Sequence, residues 1–141
     1  MADTPHYLLD THIWFWLVRG REGRLAPKTA ATLEQAALRT PLGVSVISVW
    51  EIALLASKGR IRLGTPVKEW VESALNRPGL VLTDLDAGIA IESCSLPGAF
   101  HADPADRLLV ATARLNNAIV VTRDQRILKY GKQGHLKVMA A

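Results

Sequence analysis

Five acidic residues, Asp10, Glu51, Asp103, Asp106 and Asp124, stand beside apolar runs along a chain of 141 residues. Leu8-Leu9 leads into Asp10, Val44-Ser45-Val46-Ile47 leads towards Glu51, and Ile119-Val120-Val121 leads to Thr122-Arg123-Asp124. Asp103 and Asp106 open the helical segment before that last run. Carboxylates brought together repel, and without a counter-charge at least one takes up a proton. A divalent cation removes the conflict. All-oxygen ligands favour Mg²⁺ or Mn²⁺ over zinc, and no histidine–cysteine set competes. Two such ions, roughly 4 Å apart, are a common device for in-line attack on a phosphodiester: one lowers the pKa of the attacking water and the other stabilises the leaving oxygen.

Each acid also has a purely structural reading. Ser48-Val49-Trp50-Glu51 fits the Ser-x-x-Glu capping box. Asp103-Pro104-Ala105-Asp106 fits an N-cap, a proline at the first helical position and an acid that favours the helix dipole. Asp10 fits a cap for the helix it precedes, and Asp124 a turn. Caps do not require acids after several successive strands, however, and one residue can serve as both cap and ligand.

The elements that must position these acids alternate. Strands are expected at His6–Leu9, Gly43–Ile47, Leu80–Leu82 and Ala118–Val121, with a last edge strand at Lys137–Met139. Helices are expected from Thr11 to about Val18, from Pro27 to Arg39, from Ser48 to near Lys58-Gly59, over Val67–Ala74 and Asp86–Ser95, and over Leu108–Asn116. Glycines and charge over residues 19–23 break the first helix. Residues 59–63 alternate basic and apolar and read as extended. The alternation implies one three-layer α/β domain with a mostly parallel central sheet. Ligand sites in such sheets gather at the carboxyl ends of the strands, which places all five acids on one edge.

Composition sets outer bounds. Apolar residues are 49% and charged residues 21%, which is globular and not disordered. Seventeen Lys and Arg against 13 acids leave a net charge of +4, compatible with a nucleic-acid partner but not diagnostic of one. The single cysteine, Cys94, suits a reducing cytoplasm. The N-terminus lacks the pattern of a signal peptide, and the apolar run Ile13–Val18 is too short to cross a membrane.

Four segments resemble the motifs of VapC-type PIN domains, in the family's order. They are Leu8-Leu9-Asp10-Thr11-His12, Ser45-Val46-Ile47-Ser48-Val49-Trp50-Glu51-Ile52, Asp103-Pro104-Ala105-Asp106-Arg107-Leu108-Leu109-Val110-Ala111 and Val121-Thr122-Arg123-Asp124. The resemblance implies a PIN fold and an Mg²⁺- or Mn²⁺-dependent endoribonuclease using one or two ions. It implies a homodimer held in check by a small antitoxin protein. Asp10, Glu51, Asp106 and Asp124 would form the catalytic metal site. Asp103 would assist, with the N-cap as its main role. Thr11 and Thr122 would orient a carboxylate or a bound water. Arg107, Arg123 and Arg126 would hold RNA phosphates or an antitoxin carboxylate.

Other residues weigh less. A histidine-based ribonuclease would need His12 and His101 to meet. Trp50 is expected in the core, and one of Trp14 and Trp16 at a partner groove. Lys58, Arg60 and Arg62 read as a solvated face. Two further functions compete. A phosphate-accepting receiver would want paired acids after the first strand, where Thr11 and His12 stand instead. A binding module without catalysis would be expected to have lost some of the four acids, and all four are present.

Overall fold

A computed structural model describes residues 6–20 and 24–141. Five parallel strands form one sheet in the order β3-β2-β1-β4-β5. They are β1 (Tyr7–Leu9), β2 (Leu42–Ser45), β3 (Leu80–Thr83), β4 (Ile119–Thr122) and β5 (Lys137–Ala140). Between them run α1 (Thr11–Arg19), α2 (Pro27–Ala37), α3 (Val46–Ser57), α4 (Val67–Leu75), α5 (Ala87–Cys94), α6 (Pro104–Leu115) and α7 (Gln125–Lys132).

The period of two along each strand divides the core into two layers. Leu8 and Val120 face one layer, packed with Leu109, Val110, Ile127 and Tyr130 from α6 and α7. Leu9, Val44 and Val121 face the other, packed with Ile13, Trp14, Leu33 and Ile52 from α1, α2 and α3. Helices thus cover both faces of the central strands, which is why β1, β2 and β4 carry mostly apolar residues that are buried on both sides. Gly43 lies where a Cβ would come within 3.1 Å of Thr83 Oγ1 and 3.3 Å of Leu8 Cδ1, so a larger residue there would require both neighbours to shift by a few tenths of an ångström.

From β1 the chain moves outward through β2 and β3, then crosses back to place β4 on the other side of β1. The order therefore reverses between β1 and β4, and the crevice at their carboxyl ends is the topological switch point. Asp10 follows Leu9 there, and Asp124 follows the end of β4.

Four sequence expectations change. The second strand ends at Ser45 and not Ile47, because the Ser45 hydroxyl accepts the Ile47 N–H at 3.1 Å and starts α3 there. Ser48 is consequently a buried residue inside the helix, and the Ser48–Glu51 capping box does not form. Trp50 is 53% exposed and not core: it lies two residues from both Ser48 and Ile52, on the opposite side of α3 from the packed stripe. Residues 59–63 form turns and irregular chain, with no strand. The helix α7, for which the sequence reading made no provision, follows Asp124 directly. The break expected at residues 19–23 lies partly outside the described residues; α1 ends at Arg19, with Gly20 at φ +62°. As expected, Gly59 follows the end of α3 in the left-handed region, at φ +69°.

Candidate active site

Asp10 is the N-cap of α1. Its Oδ1 accepts the Thr11 N–H at 2.8 Å, and its Oδ2 accepts the Thr122 hydroxyl at 2.6 Å. Thr122, fully buried at the end of β4, in turn accepts the Asp124 N–H at 3.0 Å. One hydroxyl thereby ties the ends of β1 and β4 together across the switch point. Burial raises the Asp10 pKa and the nearby Asp124 charge adds to this, while the Thr122 and Thr11 bonds work the other way.

Glu51 reaches the same place from α3. Thr11 Oγ1 lies 2.6 Å from Glu51 Oε1 and 2.9 Å from Ser48 Oγ. Thr11 has one hydroxyl proton, so it gives that proton to the carboxylate and takes one from Ser48. Both threonines thus orient a carboxylate. Ser48 is a positioning residue that the sequence reading passed over. Its spacing of three from Glu51 on a helix was the available signal. Burial raises the Glu51 pKa, and Asp10 and Asp103 raise it further.

Asp106 sits in the first turn of α6, where Asp103 Oδ1 accepts its N–H at 3.0 Å and Pro104 opens the helix. The cap expected of Asp103 is the one observed. Asp106 has its pKa raised to about 7, first by burial and then by the charges of Asp103, Asp10, Asp124 and Glu51. Asp124 caps α7, accepting the N–H groups of Arg126 at 2.8 Å and Ile127 at 3.2 Å. Burial pushes its pKa up, but these bonds and the Arg126 guanidinium outweigh it, and the net shift is downward.

His101 is drawn into the cluster from the segment before α6. Its Nε2 lies 2.9 Å from Asp106 Oδ2, yet its N–H is not aimed along that line, so the contact is one of proximity and not a formed hydrogen bond. Burial and the Arg126 charge lower the His101 pKa. His12 packs on Trp16 at 5.7 Å and His101 on Phe100 at 4.5 Å, and these contacts lend no support to the alternative of a His12–His101 pair.

The three arginines differ. Arg107 donates to the carbonyls of Ser93, Phe100 and His101 at 2.7, 2.9 and 3.2 Å, so it braces the chain before α6. Arg123 donates to the carbonyls of Arg24 and Ala141 and lies over the Trp16 ring. Arg126 is exposed and stands 3.4 Å from Asp124 Oδ2 and 3.9 Å from Asp106 Oδ2.

Asp10, Glu51, Asp106 and Asp124 are the residues that could hold a cation. Among the described residues no three His, Cys, Asp or Glu side chains close into a metal-ligating cluster. Asp10 is turned to Thr122, Glu51 to Thr11, Asp124 to Arg126 and helix N–H groups, and Asp106 to His101. The donor chemistry nevertheless fits a hard divalent ion: all the oxygens are carboxylate, and burial first, then the charges of neighbouring carboxylates, raises the pKa of Asp10, Glu51 and Asp106.

The PIN-domain family profile matches residues 7–133. Ribonuclease VapC22 of Mycobacterium tuberculosis is 34% identical over 120 residues, covering 85% of this chain and 88% of that protein. Among solved structures, VapBC2 of Rickettsia felis bound to a promoter DNA fragment superposes with a TM-score of 0.71 at 19% identity, over 95% of this chain and 97% of that one. A toxin–antitoxin complex from Klebsiella pneumoniae gives a TM-score of 0.59 at 23% identity, over 85% and 88% of the two chains.

Proposed function

This chain belongs to the PIN-domain family and is homologous to VapC ribonucleases, and from that premise we propose that it is a divalent-metal-dependent endoribonuclease, the toxin half of a toxin–antitoxin pair. One observation carries the catalytic part. Asp10, Glu51, Asp106 and Asp124 arrive from four different elements at the switch point, and two buried threonines there are spent on aiming carboxylates. A fold gains little stability from grouping acids that repel, so the arrangement serves a ligand that compensates them.

Divalent cations bound there would polarise the phosphodiester and supply a nucleophile at neutral pH. The chain's own residues do the rest. Thr122 and Thr11 hold the Asp10 and Glu51 carboxylates in fixed directions. Asp124, with its lowered pKa, is anionic across the neutral range and pins the start of α7. Asp106, whose pKa is raised to about 7, first by burial, would be held as the anion by a cation bound beside it. Arg126, exposed at the rim, is placed to meet a phosphate oxygen. Attack by water forms a new oxygen–phosphorus bond and breaks the bond to the 3′ oxygen, which takes a proton. The products carry 5′-phosphate and 3′-hydroxyl ends.

The partner side of the reading is an antitoxin segment. A groove of about 480 Å³ between α1 and α2 is lined by Trp16, Leu17, Leu25, Pro27 and Ala30 and is largely apolar, which suits such a segment. The exposed Trp50 on α3 suits the homodimer. Among the described residues no helix is long and apolar enough to cross a membrane.

The test is the chemistry of the cut ends. Products ligatable through a 5′-phosphate, and formed only without EDTA, are expected. Cyclic 2′,3′-phosphate ends or EDTA-resistant cleavage would contradict the proposal.

A further inference from the structure

Beside the carboxylates lies a second groove, of about 340 Å³, whose walls include His12, Trp16, Arg19, Arg24, Arg60 and Arg62 and, among the described residues, no acidic side chain. His12, Trp16 and Arg19 fall at i, i+4 and i+7 on α1, a single stripe that starts two residues after Asp10. At 1.5 Å rise per residue that stripe runs about 10 Å away from the candidate active site. His12 belongs to both places: it lines the groove, and it is near enough to act electrostatically on Asp10 and Glu51.

The walls are braced by arginines acting on the backbone of other arginines. Arg19 donates to the Arg62 carbonyl at 2.8 Å and lies over the Phe15 ring. Arg123 donates to the Arg24 carbonyl at 2.7 Å and lies over Trp16 at 4.8 Å. These bonds fix the segments that carry Arg24 and Arg62, while the guanidinia of Arg24, Arg60 and Arg62 are exposed and, among the described residues, paired with no carboxylate. Uncompensated like charges held together favour an anionic ligand. An indole face among guanidinia suits a single-stranded nucleic acid, whose bases stack while its phosphates pair.

We propose that this groove carries the single-stranded RNA flanking the phosphodiester to be cut, with phosphates on Arg24, Arg60 and Arg62 and a base against Trp16. The inference rests on the ribonuclease reading and adds to it the path by which substrate reaches the carboxylates. It also revises the view of Arg60 and Arg62 as merely solvated. Glutamine at these positions keeps much of the stem and removes the charge.

The experiment uses a labelled, mixed-sequence single-stranded RNA and a series of KCl concentrations. Affinity is compared between E51Q and E51Q carrying R24Q, R60Q and R62Q. Three lost phosphate contacts should lower the slope of log affinity against log salt by about 2, at roughly 0.7 per contact. In the cleaving protein the triple substitution should raise KM by about tenfold or more and leave kcat within about twofold. Should the triple variant melt early, R60Q and R62Q singly should each lower the slope by about 0.7. An unchanged slope and KM, with wild type still cleaving, would overturn the groove assignment and leave the nuclease reading intact. Unchanged RNA binding with lost binding of a polyglutamate peptide would overturn it in favour of a protein-docking face. If wild type neither binds nor cuts RNA in Mn²⁺, both readings fall together.

Discussion

Thr122 does two jobs with one hydroxyl, giving its proton to Asp10 and accepting the Asp124 N–H. Thr122→Val keeps the shape and removes both. Groups that orient ligating carboxylates are commonly worth 10- to 100-fold in metal affinity, so about that loss is expected for Mn²⁺, measured by calorimetry, with the fold retained. An unchanged affinity would reduce Thr122 to a turn hydroxyl. The raised pKa of Asp106 has its own consequence. Its folded-state value is about 7 against 3.8 for an ordinary aspartate, so the folded protein holds that proton more tightly. The stability this group contributes is complete below about pH 4 and is lost as pH rises through 7. Added Mg²⁺ should therefore raise Tm more at pH 8 than at pH 5, as read by thermal melting. An equal shift at both would mean that the ion does not meet this carboxylate. The acids and both threonines were legible in the sequence as types at meaningful positions. Ser48 was not, because its alternative as a cap was locally just as reasonable and only the long-range contact with Thr11 decides it.

At the level of elements, strand ends were readable where valine and isoleucine run into a polar residue, as at Leu9-Asp10 and Val121-Thr122. The start of α3 was not, since Ser45 and Ser48 are both competent caps and the intervening Val46 and Ile47 suit either strand or helix. The helix α7 escaped because eight residues with mostly polar side chains show only Ile127 and Tyr130 as a buried pair. That pair has meaning only once α7 packs on the sheet. The segment before α6 is held by Tyr130, which donates to the Pro97 carbonyl and packs on Phe100, and by Arg107. Arg107→Ala removes its bonds to the carbonyls of Ser93, Phe100 and His101 and should cost about 2 kcal/mol in a urea melt. Arg126→Ala, at an exposed site, should cost little. Equal effects would mean that Arg107 braces nothing. The same contrast separates an arginine used for architecture from one available to RNA.

Across the whole molecule, the parallel order β3-β2-β1-β4-β5 gathers acids that are more than 110 residues apart in sequence. The α/β class followed from alternation of elements, and so did the rule that sites lie at strand ends. The strand order did not, and with it the crevice between β1 and β4 stayed out of reach, since no local residue pattern encodes which strand pairs with which. Charge behaves similarly. A net charge of +4 says little, whereas the fold concentrates Arg19, Arg24, Arg60 and Arg62 beside the acids. The measurement that bears most directly on the central claim is cleavage of a mixed single-stranded RNA pool in Mg²⁺ or Mn²⁺ by wild type, Asp10→Asn and Glu51→Gln. Cleavage by wild type alone, abolished by EDTA and restored by Mn²⁺, is predicted. Equal cleavage by all three proteins, or cleavage that survives excess EDTA, would contradict it.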